Sequence, residues 1–171
     1  MNNTNINIVK RDGTKEPLDI NKMHFVVEQA CEGLSGVSAS QIEMNSQIQF
    51  TNNMSTTDIQ DIMIRSANDL ITLDTPNYQY AAARLLLWNV YKEVFHQFQP
   101  RHLIAIIDQN IKHGVYDPAI KQHYTKTELK KLNTYIKHDR DLDFTYAGLR
   151  QVVDKYLVQD RSTGQLYETP Q

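Results

Sequence analysis

The sequence predicts a mainly α-helical protein in which a β-hairpin covers a four-helix bundle, and a small helical region ending in a second hairpin follows. Three observations predict it. Asp12-Gly13 is flanked by Ile6, Ile8 and Lys10 in alternation, the pattern of a short hairpin. Successive later windows carry apolar residues at helical spacing. Ser/Thr-x-x-Glu/Gln/Asp, Pro and Gly signals punctuate those windows where helices start and stop.

The hairpin spans INIVKRDGTKEPLDI. From Asp19 a first helix sets Met23, Val26, Val27, Ala30, Cys31 and Leu34 on one face, with Gly33 and Gly36 near its end. Ser38 with Gln41 and Ser55 with Asp58 resemble capping boxes opening two more helices, the latter lining up Ile59, Ile62, Met63, Leu70 and Ile71. Pro76 suits the first position of a fourth helix through Leu85, Leu86, Trp88 and Val90 to about Phe95. Beyond Pro100, RHLIAIIDQNIKHG is a helix stopped by Gly114, Thr125 with Glu128 caps another, and FTYAGLRQVVDKYL gives a third. HDRDLDF reads as a solvated turn ahead of that third helix. YLVQDRSTGQLYE alternates around Ser-Thr-Gly as a terminal hairpin, whose open edges suggest that more protein follows.

The 171 residues are enough for one domain or two small ones. Residues 1–95 hold 7 basic and 11 acidic groups, net −4, and residues 96–171 hold 11 and 9, net +2. That shift places a boundary near Pro100 and divides the chain into 1–95 and 96–171. With 40% apolar and 22% charged residues, the chain can bury a core without staples. No run approaches the roughly 18 to 20 apolar residues of a membrane span, and the start MNNTNINIVK has no apolar signal core, so the expectation is a cytoplasmic chain with no membrane partner. The overall net charge of −2 speaks against nucleic acid as a partner, because duplex binders usually present a basic face.

Absences constrain the chemistry further. The single cysteine, Cys31, excludes an internal disulfide, a Cys-rich zinc site and any reaction that needs two thiols of this chain; it reads as a small buried hydrophobe. The six glycines form neither G-x-G-x-x-G nor G-x-x-x-x-G-K-[ST], so Rossmann and P-loop sites are ruled out. The six histidines include no H-E-x-x-H, and Asp139, Asp141 and Asp143 lack the Gly and Glu of a calcium loop; no metal site is expected. What remains is a set of cations on separate elements of an acidic segment. Lys10 and Arg11 precede the turn, Lys22 starts helix one, Lys92 ends helix four, and Thr56 at a helix start adds a hydroxyl and backbone N–H groups. Spacing alone does not decide between a polyphosphate site and ordinary surface lysines.

Longer motifs carry more. VKRDGTKEPLDINKMH (9–24), NYQYAAARLLL (77–87) and HDRDLDFTYAGLRQVVDKYLVQDRSTGQLYETPQ (138–171) resemble the N-terminal region of the large, catalytic subunit of class I ribonucleotide reductase. The resemblance covers the whole chain. It implies that residues 1–95 are an ATP-cone, a regulatory nucleotide-binding domain, and that the remainder leads into a catalytic barrel lying after Gln171. On that resemblance Lys10, Arg11 and Lys92 hold a triphosphate with Thr56 assisting, Lys22 lies close by, and Glu16 with the segment around Asp19 selects adenine. Leu18, Met23, Ile59 and Trp88 wall the base pocket. Two positions depart from the family pattern: Gln60 replaces a familiar His beside the sugar, and Asp19 replaces a familiar Asn, which puts the discrimination between ATP and dATP in question.

The resemblance further implies ATP as activator and dATP as inhibitor, with Mg2+ accompanying the phosphates and no redox cofactor in this segment. Its partners would be the rest of the large subunit, the radical-generating small subunit, and further copies in a homo-oligomer. The family's reaction uses a thiyl radical and a reducing cysteine pair, so a chain with Cys31 alone is expected to be inert by itself, whether as an excised piece, a split gene product or a partial reading. Two rivals stand beside this reading: a docking or oligomerisation module that has lost nucleotide affinity, and a weaker one, a helical DNA-binding module.

Overall fold

The computed structural model describes residues 6–171; the polar start over residues 1–5 lies outside them. The described chain forms two compact units. One holds the residues up to Leu86 with Phe144–Leu149, the other Leu87–Asp143 with Arg150–Gln171.

The first unit begins with β1 (Asn7–Val9) and β2 (Lys15–Pro17), antiparallel with Ile8 opposite Glu16. Their connection is a three-residue loop in which Lys10 N–H donates to Thr14 O at 2.8 Å and Gly13 N–H to Lys10 O at 2.9 Å. Gly13 sits at φ +83°, so the Asp12-Gly13 signal works here as a turn followed by a left-handed glycine, not as a two-residue turn. Asp12 fixes it by accepting the Thr14 N–H and hydroxyl at 2.9 and 2.7 Å.

Helix α1 (Ile20–Cys31) is capped by Asp19 and buries Met23, Val27 and Ala30. Cys31 is half-buried, and burial pushes its thiol up to about 11, which makes it a poor nucleophile. Helix α2 (Ala39–Gln47) is capped by Ser38 and buries Ile42. Strand β3 (Met54–Ser55), which alternation did not reveal, pairs parallel to β1 with Ile8 opposite Met54 and Val9 opposite Ser55. The sheet order among the described residues is therefore β2-β1-β3. Helix α3 (Thr56–Asp69) follows at once, with Ser55 as its cap, and buries Ile59, Ile62, Met63, Ile64 and Ala67. Helix α4 (Tyr78–Phe95) starts two residues later than Pro76, which lies in the preceding turn; Tyr78, Ala81, Ala82, Ala83, Leu85 and Leu86 are buried.

In the second unit α4 continues with buried Leu87, Val90, Tyr91, Val94 and Phe95. Helix α5 (Leu103–Lys112) ends as expected, with Gly114 at φ +73°. A short α6 (Ile120–His123) precedes α7 (Lys126–Asn133), whose Thr125–Glu128 capping box is complete. The HDRDLD segment corrects the expectation of a solvated turn: it is a 3₁₀ helix, His138–Asp143, whose Asp141 is 1% exposed. Tyr91 Oη offsets part of that burial by donating to Asp141 Oδ2 at 2.7 Å; His138 Nδ1 lies 3.6 Å away, and it and Asp141 Oδ1 make no hydrogen bond among the described residues. The last helix, α8, runs Tyr146–Lys155 and spans both units. The terminal segment closes into a turn with a single bridge, Gln159 opposite Leu166, in place of a full hairpin. Its edge donors go to carboxylates: Leu166 N–H to Glu93 at 3.0 Å and Val158 N–H to Glu168 at 3.3 Å. Among the described residues no helix is long and apolar enough to cross a membrane.

Candidate functional site

Two of the expected cations, Lys10 and Arg11, are positioned in the first unit by one topological fact. Because β3 runs parallel to β1 and leads straight into α3, the chain leaves β1 at Lys10 and Arg11 beside the first turn of α3. Arg11 Nη2 reaches Gln60 Oε1 at 3.5 Å, which ties the turn to that helix. Thr56, half-buried, is the first residue of α3. A helix N-terminus there presents backbone N–H groups and partial positive charge, and the neighbouring guanidinium and ammonium add full charges.

Asn52 and Asn53 make this register possible, and sequence reasoning missed them. Asn52 Oδ1 accepts the Asn7 N–H at 2.9 Å, and Asn53 N–H donates to Asn7 O at 2.7 Å. Asn53 adopts φ +64°, a conformation that asparagine tolerates better than most residues. The available signal was the Asn-Asn pair directly ahead of a helix cap.

Lys10 Nζ stands 2.6 Å from Glu16 Oε2, and this contact, with Asp12 nearby, holds the ammonium above its ordinary range. Asp19 is an N-cap: its Oδ1 accepts the Asn21 and Lys22 N–H groups, both at 3.1 Å, and Lys22 Nζ lies 3.5 Å from Oδ2. Those donors, the Lys22 N–H first, hold its carboxyl below the usual range. The carboxylate at this departure from the family pattern is thus occupied by α1 itself. Leu18 is half-buried, Met23 and Ile59 are buried at 5% exposure each, and Gln60 is half-buried.

Trp88 and Lys92 lie on the part of α4 that belongs to the second unit, one helical turn apart and both half-buried. There Lys92 Nζ stands 4.9 Å from the centre of the Phe98 ring, a cation–π contact. Among the described residues no cluster of His, Cys, Asp and Glu could hold a metal ion.

Residues 6–93 match the ATP cone domain. The chain is 43% identical over 169 residues to ribonucleoside-diphosphate reductase 1 subunit alpha of Escherichia coli (strain K12), an alignment covering 99% of this chain and 22% of that protein. It is 41% identical over 169 residues to the ribonucleoside-diphosphate reductase subunit alpha of Haemophilus influenzae, covering 99% and 22%. Against the subunit alpha of Enterobacteria phage T4 it is 40% identical over 166 residues, covering 97% and 22%. The chain therefore spans about a fifth of the length of these relatives. A segment with the three-stranded sheet and the capped helices described above belongs to the ATP cone family, in the form found in the N-terminal region of ribonucleoside-diphosphate reductase alpha subunits.

Proposed function

We propose that this chain is the allosteric segment of a ribonucleoside-diphosphate reductase large subunit, in which residues 1–95 bind ATP as activator or dATP as inhibitor and so set overall activity in deoxyribonucleotide synthesis. The observation that carries the reading is the parallel β1–β3 pairing, which brings Lys10 and Arg11 to the start of α3. A triphosphate needs several charge-assisted partners to offset its desolvation, and this corner supplies an arginine fork, a lysine and a helix N-terminus. Half-buried Leu18 offers apolar surface for a base, buried Met23 and Ile59 are included on the family resemblance, and Glu16 offers an acceptor for an exocyclic amine. Lys22, Trp88 and Lys92 are included on the family resemblance alone. Mg2+ would travel with the phosphates. The rest of the large subunit, the small subunit and further copies of the chain are the proposed partners, and residues 96–171 the proposed connection to the catalytic part.

Discrimination between ATP and dATP requires two states with different affinities for the two ligands. Gln60 is the residue through which such a difference would pass, since it touches Arg11 from α3.

Calorimetric titration with ATP and dATP tests the reading. Binding of both is expected, and Lys10→Ala with Lys92→Ala weakens it at least tenfold while circular dichroism stays unchanged, each charge-assisted bond being worth about 1.5 to 3 kcal/mol. Absence of heat and of any thermal shift at millimolar ligand would overturn it in favour of a docking module. One observation supports that second reading: Lys10 is already engaged by Glu16, and Lys22 by Asp19.

A further inference from the structure

The second unit holds a cleft of about 500 Å3 that the regulatory reading does not use. It lies over one face of α5, where Ala105, Gln109 and Lys112 recur at helical steps, with Arg101 from the segment ahead of the helix and His96 and His113 in its wall. The cleft is open to solvent for much of its extent, a groove and not an enclosed cavity.

The charge within it is one-sided. The sole carboxylate in the lining, Asp108, has Lys121 Nζ 2.6 Å from its Oδ1, so a cation outside the lining already answers it. Arg101 and Lys112 form no ion pair among the described residues. Arg101 is also held in place. Its Nη1 donates to Gln109 Oε1 at 2.8 Å, and Gln109 Nε2 in turn donates to Val94 O at 3.2 Å. A guanidinium fixed through one of its five donors keeps the planar fork oriented, which reduces the ordering cost of binding an anion. Ala105, also in the lining, contributes only a methyl group. His96 adopts φ +58°, a left-handed conformation that glycine would hold more easily, and an imidazole occupies the rim there.

The geometry points to this cleft as a site for a phosphate-type oxyanion, separate from the nucleotide corner of the first unit. One held guanidinium, one exposed ammonium and two imidazoles suit a doubly charged group with three terminal oxygens better than a carboxylate, which offers two oxygens and one charge. The group can come from inorganic phosphate or from the terminal phosphate of a nucleotide.

The test is titration of the 171-residue chain carrying Lys10→Ala and Arg11→Ala, which weakens the corner of the first unit, with inorganic phosphate followed by calorimetry and phosphorus-31 line broadening. Phosphate binding is expected in that background, and Arg101→Gln is expected to weaken it about tenfold, the loss of one charge-assisted contact. Lys112→Gln, an exposed change that leaves the Arg101–Gln109 contact intact, should weaken it several-fold and carries the test if Arg101→Gln does not fold. His96→Gly should weaken it about twofold without lowering the unfolding temperature. ATP displacing the bound phosphate would assign the group to a nucleotide, and failure to displace it would assign it to free phosphate; either upholds the oxyanion site. No phosphate binding at millimolar concentration, or binding unaffected by Arg101→Gln and Lys112→Gln alike, overturns the proposal. Because the first-unit corner is weakened in every sample, its own failure to bind ATP would be seen separately in the unsubstituted chain.

Discussion

The first unit holds Lys10 against Glu16 at 2.6 Å, and the second holds Tyr91 against Asp141 at 2.7 Å. Each is a short contact to a carboxylate, and their surroundings make them opposites. The Lys10 and Glu16 side chains are 43% and 36% exposed, whereas the Asp141 side chain is wholly buried. An exposed ion pair contributes little to stability, because water solvates either partner nearly as well when they separate. Lys10 can therefore exchange Glu16 for the oxygens of a ligand at small cost. Asp141 has no such alternative: Tyr91 Oη is the donor to its Oδ2, His138 stands 3.6 Å away without a hydrogen bond, and loss of Tyr91 Oη leaves Oδ2 stranded as Oδ1 already is among the described residues. Exchangeable pairing suits a binding corner, and fixed pairing suits a scaffold.

Asp141→Ala is the largest expected effect and would break the comparison most directly. It removes the acceptor for Tyr91 Oη, and denaturant unfolding should register a loss of about 2 to 4 kcal/mol. A loss under about 0.5 kcal/mol would mean that the buried pair is as dispensable as the exposed one. Its titration offers a second readout. Burial holds the Asp141 carboxyl above the ordinary value near 3.8, so the folded state retains its proton where the unfolded chain has released it. This contribution to stability is full below 3.8 and is lost as pH rises through the raised folded value; Asp141→Asn should flatten that part of the profile.

Next in size is Lys10→Ala, which should weaken ATP binding about tenfold in calorimetry and leave the unfolding temperature where it was. A large stability loss would show that the Lys10–Glu16 contact is structural. Ser55→Ala comes third. Ser55 Oγ accepts the Asp58 N–H at 3.0 Å and donates to Asp58 Oδ2 at 2.6 Å, so its removal should cost about 1 kcal/mol in thermal unfolding and loosen the start of α3.

The smallest effect concerns His24, whose ring faces Glu43 on α2 at 2.6 Å and Glu28 on α1 at 3.1 Å. Glu43 foremost raises its pKa above 6.5. The protonated ring therefore stabilises the fold fully below that value, and the contribution disappears as pH climbs through the raised one. Unfolding temperatures taken between pH 6 and pH 8.5 should decline slightly, and Glu43→Gln should remove most of the decline.

Much of this was legible from local signals. Asp19, Ser38, Ser55 and Thr125 announced helix starts because a cap acts on backbone groups two or three residues away. The turn at Gly13 and the helix end at Gly114 were legible for the same reason. β3 was not, since two residues carry no readable alternation and its partner lies more than forty positions earlier in the chain. HDRDLD looked solvated because three acids in six residues ordinarily are, and nothing local points to Tyr91 fifty positions away. Of the candidate site, the cations could be named from the sequence, while the contact between Arg11 and Gln60 follows only from the pairing of β1 with β3.

The sequence by itself determined the capped helix starts at Asp19, Ser38, Ser55 and Thr125, which faces are apolar and which residues carry charge, all properties that depend on neighbours within about one turn of chain. Tertiary structure alone decided that Lys10 and Arg11 meet the start of α3, and that Asp141 is enclosed while Glu16 stays at the surface. Those outcomes depend on pairings between distant segments, where the gain from burial or from a parallel register exceeds what local preference can express.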